Sequence, residues 1–356
     1  MKALSLLLLS AFLAGCSSVE NSREAKFTRV FCWGSPVNEE TAEKYARAGV
    51  TDIVVNNLKQ YELAGKYGMR AYWKCFHPEG PWRQVMTPAE EDHHNYISGR
   101  DLKSKMKPAE RRAILDRRRR EKQHRYGGEP VTEIDTLTTG IKCFLSDKDL
   151  ALSRKKLDAI LDSAPKGAAG IYVDYIGYMN HRGCYCAECL QRYRNYLKER
   201  NLPDTQENKD NFYRDQLADH YNRIIAYVKQ KRPDFKVVVH IYPEFRPDPL
   251  YGNRTGADFC GQTVAWYFKW PEKQIRKYTG YVVKHAKDHY SEAEGIPFLG
   301  LNTNEKSSLG FKTPADVESE LKTILAAGGR TLMVCTGRCI LEPGYCDVFR
   351  KYCGKE

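Results

Sequence analysis

Gly170-Ile171-Tyr172-Val173-Asp174-Tyr175 is the stretch on which the fold turns. A β-branched and aromatic run this short suits a strand better than a helix, and its apolar content suits burial on both faces, as in a parallel sheet. Asp174 closes the apolar part, and a carboxylate there costs free energy unless something pairs with it or uses it. The same rhythm extends in both directions. Short strand-like runs alternate with amphipathic segments of helical length, the pattern of parallel strands joined by right-handed crossovers. Upstream, strands are predicted at 29–33, 51–56 and 69–76, with helices over 38–49 and 58–67 that stop at Gly49 and Gly68. Downstream, strands are predicted at 236–242, 261–266, 297–302 and 331–335. The helices around them cover about 149–163, 187–200, 211–231 and 272–289, and a further one opens at Pro314 and ends at Gly328-Gly329. Eight strands in this order predict an α/β fold, a single (β/α)8 TIM barrel over residues 27–356.

The rhythm breaks over 77–140, a polar, proline-containing, arginine-rich stretch read as a long basic insertion after the third strand. Such excursions sit at the catalytic mouth of barrels. Residues 100–125 hold twelve Lys and Arg against four acidic residues, a surplus of eight within a formal net charge of +12. A basic run invites nucleic acid, but no aromatic ladder accompanies it and the N-terminus points out of the cytoplasm, so nucleic acid is not the expected partner. Anionic glycans or lipid head groups fit better; a solvated helix on the insertion is the plainer reading. At the N-terminus, Lys2 and the apolar run 3–15 read as a signal-peptide core too short to span a bilayer. Leu13-Ala14-Gly15-Cys16 resembles the bacterial lipobox. That resemblance implies a signal peptide over 1–15, a tether over 16–26, lipid on Cys16, and attachment to the bacterial envelope at the periplasmic face or the cell surface. The alternative is an ordinary secretory signal with a chance cysteine.

Functional side chains of barrels gather where strands end. Trp33, Trp73 with His77, Asp174 with Tyr175 and Tyr178, His240 with Tyr242 and Glu244, Trp266, and Asn302 with Glu305 fall at such ends. Sugar rings present apolar C–H faces beside hydroxyl edges, so aromatic platforms with carboxylates and amides suit them. Cleavage of a glycosidic bond needs two carboxyl groups, one to protonate the leaving oxygen and one to attack or to activate water. Asp174, Glu305 and Glu244 are the candidates. The alternative for Asp174 is a structural pairing with a cation such as Lys74, and Glu305 could simply be a solvated loop residue. A glycan-binding protein on a decayed barrel would need the platforms without a working carboxylate pair.

Cys184-Tyr185-Cys186-Ala187-Glu188-Cys189 places three thiols within six residues, a spacing that suits a metal knuckle better than disulfides. Cys143 is the first choice for a fourth ligand. Oxidation is the competing reading outside the cytoplasm, and Cys335, Cys339, Cys346 and Cys353 look like disulfide partners. Setting Cys16 aside leaves eleven of the twelve cysteines, so pairing alone cannot use them all. The strand at Gly170, the three-cysteine knuckle and Tyr193-Arg194-Asn195-Tyr196-Leu197 together resemble the fourth-strand region of family 42 β-galactosidases and related glycosyl hydrolase-like barrel proteins. The resemblance covers about thirty residues of the chain. It implies structural zinc on Cys143, Cys184, Cys186 and Cys189, no catalytic cofactor, an acid/base carboxylate at Asp174 and a nucleophile at Glu305. The family has Asn-Glu where this chain has Val173-Asp174, a departure that shortens the acid and removes the asparagine.

Overall fold

The computed structural model describes residues 25–76, 147–176, 187–241, 255–267, 269–285, 294–305 and 310–354, together with Lys107 and Ala109. Eight parallel strands close into a barrel in chain order: β1 (Arg29–Cys32), β2 (Asp52–Val55), β3 (Arg70–Phe76), β4 (Gly170–Ile176), β5 (Lys236–Ile241), β6 (Phe259–Ala265), β7 (Glu294–Gly300) and β8 (Thr331–Cys335). The last strand seals against the first in the register Arg29↔Thr331 to Cys32↔Val334. This is the (β/α)8 architecture expected from the strand rhythm. Outside the strands lie α1 (Glu39–Arg47), α2 (Leu58–Lys66), α3 (Asp147–Ser163), α4 (Ala187–Arg200), α5 (Gln206–Lys231), α6 (Glu272–His285), α7 (Pro314–Ala326) and α8 (Tyr345–Cys353). Among the described residues, no helix is long and apolar enough to cross a membrane. The 77–140 insertion, apart from Lys107 and Ala109, and Cys16 with the 1–15 signal lie outside the described residues.

Local chemistry explains the helix boundaries. The Asn38 side chain accepts from the Thr41 backbone N–H while Thr41 reciprocates, and Glu39 and Glu40 face the positive end of α1's dipole. Thr313 and Asp316 form the same box on α7, with Pro314 in its first turn. Helix α5 starts earlier than its apolar periodicity predicts because Thr205 caps it at Asn208, bringing polar residues from Gln206 onward into the helix. The C-terminal segment departs further from expectation. A 3-10 helix (Gly337–Leu341) and α8 follow β8. Tyr345, Phe349, Tyr352 and Cys353 are the buried face of α8, and Cys335, Cys339, Cys346 and Cys353 are free thiols rather than disulfide partners.

The barrel floor is an ion cluster. Asp52, fully buried, accepts from Arg29 at 3.1 and 2.8 Å, from Arg70 at 2.9 and 2.8 Å, and from Thr51 at 2.6 Å. Burial pushes the Asp52 carboxyl up, but the hydrogen bonds from Arg70 and Arg29 outweigh it and hold it below its ordinary value. The Arg29 guanidinium also lies over the rings of Phe31 and Phe259, at 4.6 and 4.1 Å from their centroids. Above that layer Phe31 packs against Tyr72 and Phe259, so the lower interior is filled. Gly170 is required where β4 meets β5, because a Cβ there would fall 1.8 Å from the Lys236 carbonyl oxygen.

Candidate active site

Strand parity decides which side chains reach the mouth, at the C-terminal ends of the strands. On β1, Arg29 and Phe31 occupy the interior and Trp33 continues that face, its ring 4.2 Å from Tyr172 of β4. On β3, the Tyr72 hydroxyl accepts from Arg29 at the floor, and two residues on the Lys74 Nζ lies 5.3 Å from the Trp33 ring centroid. Trp73, between them, takes the opposite side, is 5 % exposed and belongs to the packing between strand and helices. It is not one of the mouth's platforms. The correction has a simple cause: position near a strand end was read without the period of two.

A second aromatic group closes the other wall. The His240 ring stacks on Phe298 at 3.8 Å and 14°. Trp266 packs against Tyr267, Phe298 and His240 at centroid distances of 4.5, 5.7 and 6.3 Å. His240 Nε2 lies 3.4 Å from Thr263 Oγ1. The Tyr267 hydroxyl lies 3.1 Å from the sulfur of Cys335, a half-buried residue at the end of β8. The structure thus brings Trp33 to one wall and His240 and Trp266 to the other. Lys74, Tyr172, Tyr267 and Cys335 join them, and parity applied to the sequence would have found the strand residues among these four.

The end of β7 is held differently from expectation. Asn302 spends its amide inside its own loop, donating to the Gly310 carbonyl at 2.9 Å and accepting from the Asn304 backbone at 3.2 Å. Glu305 is exposed and stands near Tyr345 of α8. Behind this loop Lys312 is buried, donating to Glu320 at 2.7 Å and to the Gly300 carbonyl at 2.8 Å. Its backbone N–H donates to Asn302 at 3.1 Å, which ties the loop to the strand. Gly300 is needed at the crossing because a Cβ would lie 2.7 Å from the Tyr267 nitrogen.

Asp174 sits in β4 opposite Phe76 of β3, and Tyr175 follows it. The side chains of Asp174 and Tyr175 lie outside the described part, as do residues His77, Tyr178, Tyr242, Glu244, Cys143, Cys184 and Cys186. Cys189 is described, buried in the first turn of α4. Among the described residues no group of three or more His, Cys, Asp and Glu could hold a metal ion.

No family model matches the chain, and no curated protein matches it by sequence. Solved structures do match. The β-galactosidase of the Antarctic haloarchaeon Halorubrum lacusprofundi aligns with a TM-score of 0.52 at 13% identity, over 91% of this chain and 57% of that one. The β-galactosidase of Bacillus circulans sp. alkalophilus aligns with a TM-score of 0.49 at 12% identity, over 88% and 51%. Bee venom hyaluronidase aligns with a TM-score of 0.40 at 13% identity, over 91% and 96%. The chain spans just over half the length of the two β-galactosidases. At these identities the likeness is one of fold alone, a closed eight-stranded parallel barrel.

Proposed function

We propose that the chain is a glycoside hydrolase of the bacterial envelope that cleaves an oligo- or polysaccharide at the C-terminal mouth of its barrel. Asp174 is the general acid/base, and Glu305 or Glu244 the second carboxylate. The observation that carries this reading is a pair of part-exposed aromatic rings, Trp33 at one wall and Tyr267 at the other, each packed on a buried ring, Tyr172 and Trp266 respectively. It offers flat apolar surface beside polar atoms, which is what a sugar ring demands. The test is release of reducing ends from a panel of neutral and anionic glycans by the purified full chain. Asp174→Asn should lower turnover by about 10²–10⁴-fold with an unchanged melting temperature; full activity in that variant removes the assignment.

A glycan-binding protein without turnover is the second reading. One observation favours it: Glu305 is exposed, as a solvated loop residue would be. Retention of a glycan without release would select this reading.

Structural zinc on Cys143, Cys184, Cys186 and Cys189 belongs to the same proposal. Thiolates suit zinc, and the burial of Cys189 is what a ligand shielded from water requires. Metal analysis giving no zinc in protein purified without chelator would remove it. Export with lipid on Cys16 is proposed as well; Cys16→Ser should move the protein from the membrane to the soluble fraction, and unchanged partition would exclude the anchor.

A further inference from the structure

Where β1 meets β2, the edge of the mouth carries a side chain that its own turn does not use up. Continuing the register Phe31↔Asp52 and Cys32↔Ile53 brings Ser35 level with Asn56, two residues beyond Trp33 on the same face. The Asn56 amide nitrogen lies 3.3 Å from Ser35 Oγ and 3.4 Å from Gln60 Oε1. Hydrogen-bond chemistry forces that orientation. The Ser35 hydroxyl gives its one proton to the Val54 carbonyl at 2.8 Å, so toward Asn56 it can only accept. Gln60 Oε1 already accepts from the Asn56 backbone N–H at 2.8 Å, and it too must face a donor. The amide protons of Asn56 are therefore committed to these two acceptors, and its Oδ1 takes no hydrogen bond among the described residues.

The turn itself does not need this amide. Asn57 caps α2 by accepting from the Gln60 backbone N–H at 3.0 Å, and Gln60 reaches back to the Asn56 backbone rather than depending on its side chain. Asn302 is the contrast, because both ends of its amide are spent inside its own loop. Exposed Asn56 thus presents an oriented acceptor beside the part-exposed Trp33 ring. A sugar ring offers the matching pair, an apolar face for the indole and a hydroxyl donor at its edge. We infer that Trp33 and Asn56 form a sugar subsite on the β1–β2 edge of the mouth, and that Asn56 is its specificity-determining residue, its Oδ1 accepting from a free ring hydroxyl. The inference rests on the glycan reading above and deepens it.

Calorimetric titration of the purified full chain would use galactotriose, cellotriose and chitotriose, then the monodeoxyfluoro forms of whichever binds best, since fluorine removes the hydroxyl donor at nearly the same size. One of those forms should bind the wild type about three- to tenfold more weakly than its parent sugar. Asn56→Ala should weaken the parent by the same factor and no longer distinguish the two. It keeps the backbone N–H that Gln60 accepts, and if it fails to fold, the near-isosteric Asn56→Leu makes the same comparison. Wild-type affinity for the parent sugar in these variants, or a fluorine preference that survives them, overturns the inference and leaves the glycan reading intact. Binding of none of the three sugars by the wild type overturns it as well, and release or retention of the wider glycan panel then decides the glycan reading on its own.

Discussion

Replacing Lys312 by Met should be among the most damaging single changes in the chain. The Lys312 side chain has no solvent exposure and Glu320 only 3%, with 2.7 Å between the charged atoms. Burial pushes the Lys312 ammonium down and the Glu320 carboxyl up, and each group offsets part of the other's shift. Methionine nearly preserves the volume but leaves a buried carboxylate without its cation, which costs about 3–5 kcal/mol. It also removes the donor to the Gly300 carbonyl, roughly 1 kcal/mol more, part of which protonation of Glu320 recovers. A net loss of about 3–5 kcal/mol, divided by an unfolding entropy of ~0.7 kcal/mol/K for a chain of this length, lowers Tm by roughly 4–7 °C. The double variant Lys312→Met/Glu320→Met should lose less than the sum of the singles by about 1–3 kcal/mol, because it leaves no orphaned charge. Calorimetric melting and urea titration of the four proteins form the cycle. Additivity within about 0.5 kcal/mol, or a Lys312→Met protein as stable as wild type, would refute the coupling.

Asp52→Asn should destabilise by about 2–4 kcal/mol, discounted because Arg70 is half exposed and water can satisfy it. Its pH signature has a definite sign: the folded carboxyl is held low, so its contribution is present above the unfolded value near pH 4 and is lost as pH falls through the folded value. Urea midpoints should therefore differ more between wild type and variant at pH 7 than at pH 3, and a constant difference would sink the argument. Gly170→Ala should unfold or aggregate the barrel, since backbone and not a flexible side chain occupies the space; a soluble variant with wild-type melting would contradict it. Alkylation by iodoacetamide at pH 8, read by peptide mass spectrometry, should reach half-buried Cys335 before Cys32, Cys260 and Cys353. Burial raises those three thiols, Cys260 to about 12, so equal rates would exclude the exposure argument.

Strand composition made the barrel legible. Periodicity located all eight strands, and the β8 prediction of 331–335 agrees with Thr331–Cys335. Boundaries slipped where pairing outruns composition: Glu294 joins β7 because it pairs with Phe259 at the lower rim, although nothing apolar marks it. Helix α8 was hidden because Cys346 and Cys353 within it, together with Cys335 and Cys339 before it, read as a disulfide framework. Its aromatic face at Tyr345, Phe349 and Tyr352 carries a 3.6-residue period that a cysteine-led reading passes over.

The site was legible to the level of strand ends and no further, and the reason is geometric. A strand end names two adjacent residues, and the pleat sends them to opposite sides, so Trp73 and Lys74 exchange roles on a shift of one. Loops are harder still: Asn302 lies where a substrate amide would be sought, but its hydrogen bonds to Gly310 and Asn304 commit it to holding its own turn. The Asp52 cluster closes the floor and the Lys312–Glu320 pair anchors the β7 exit, both with their charges matched.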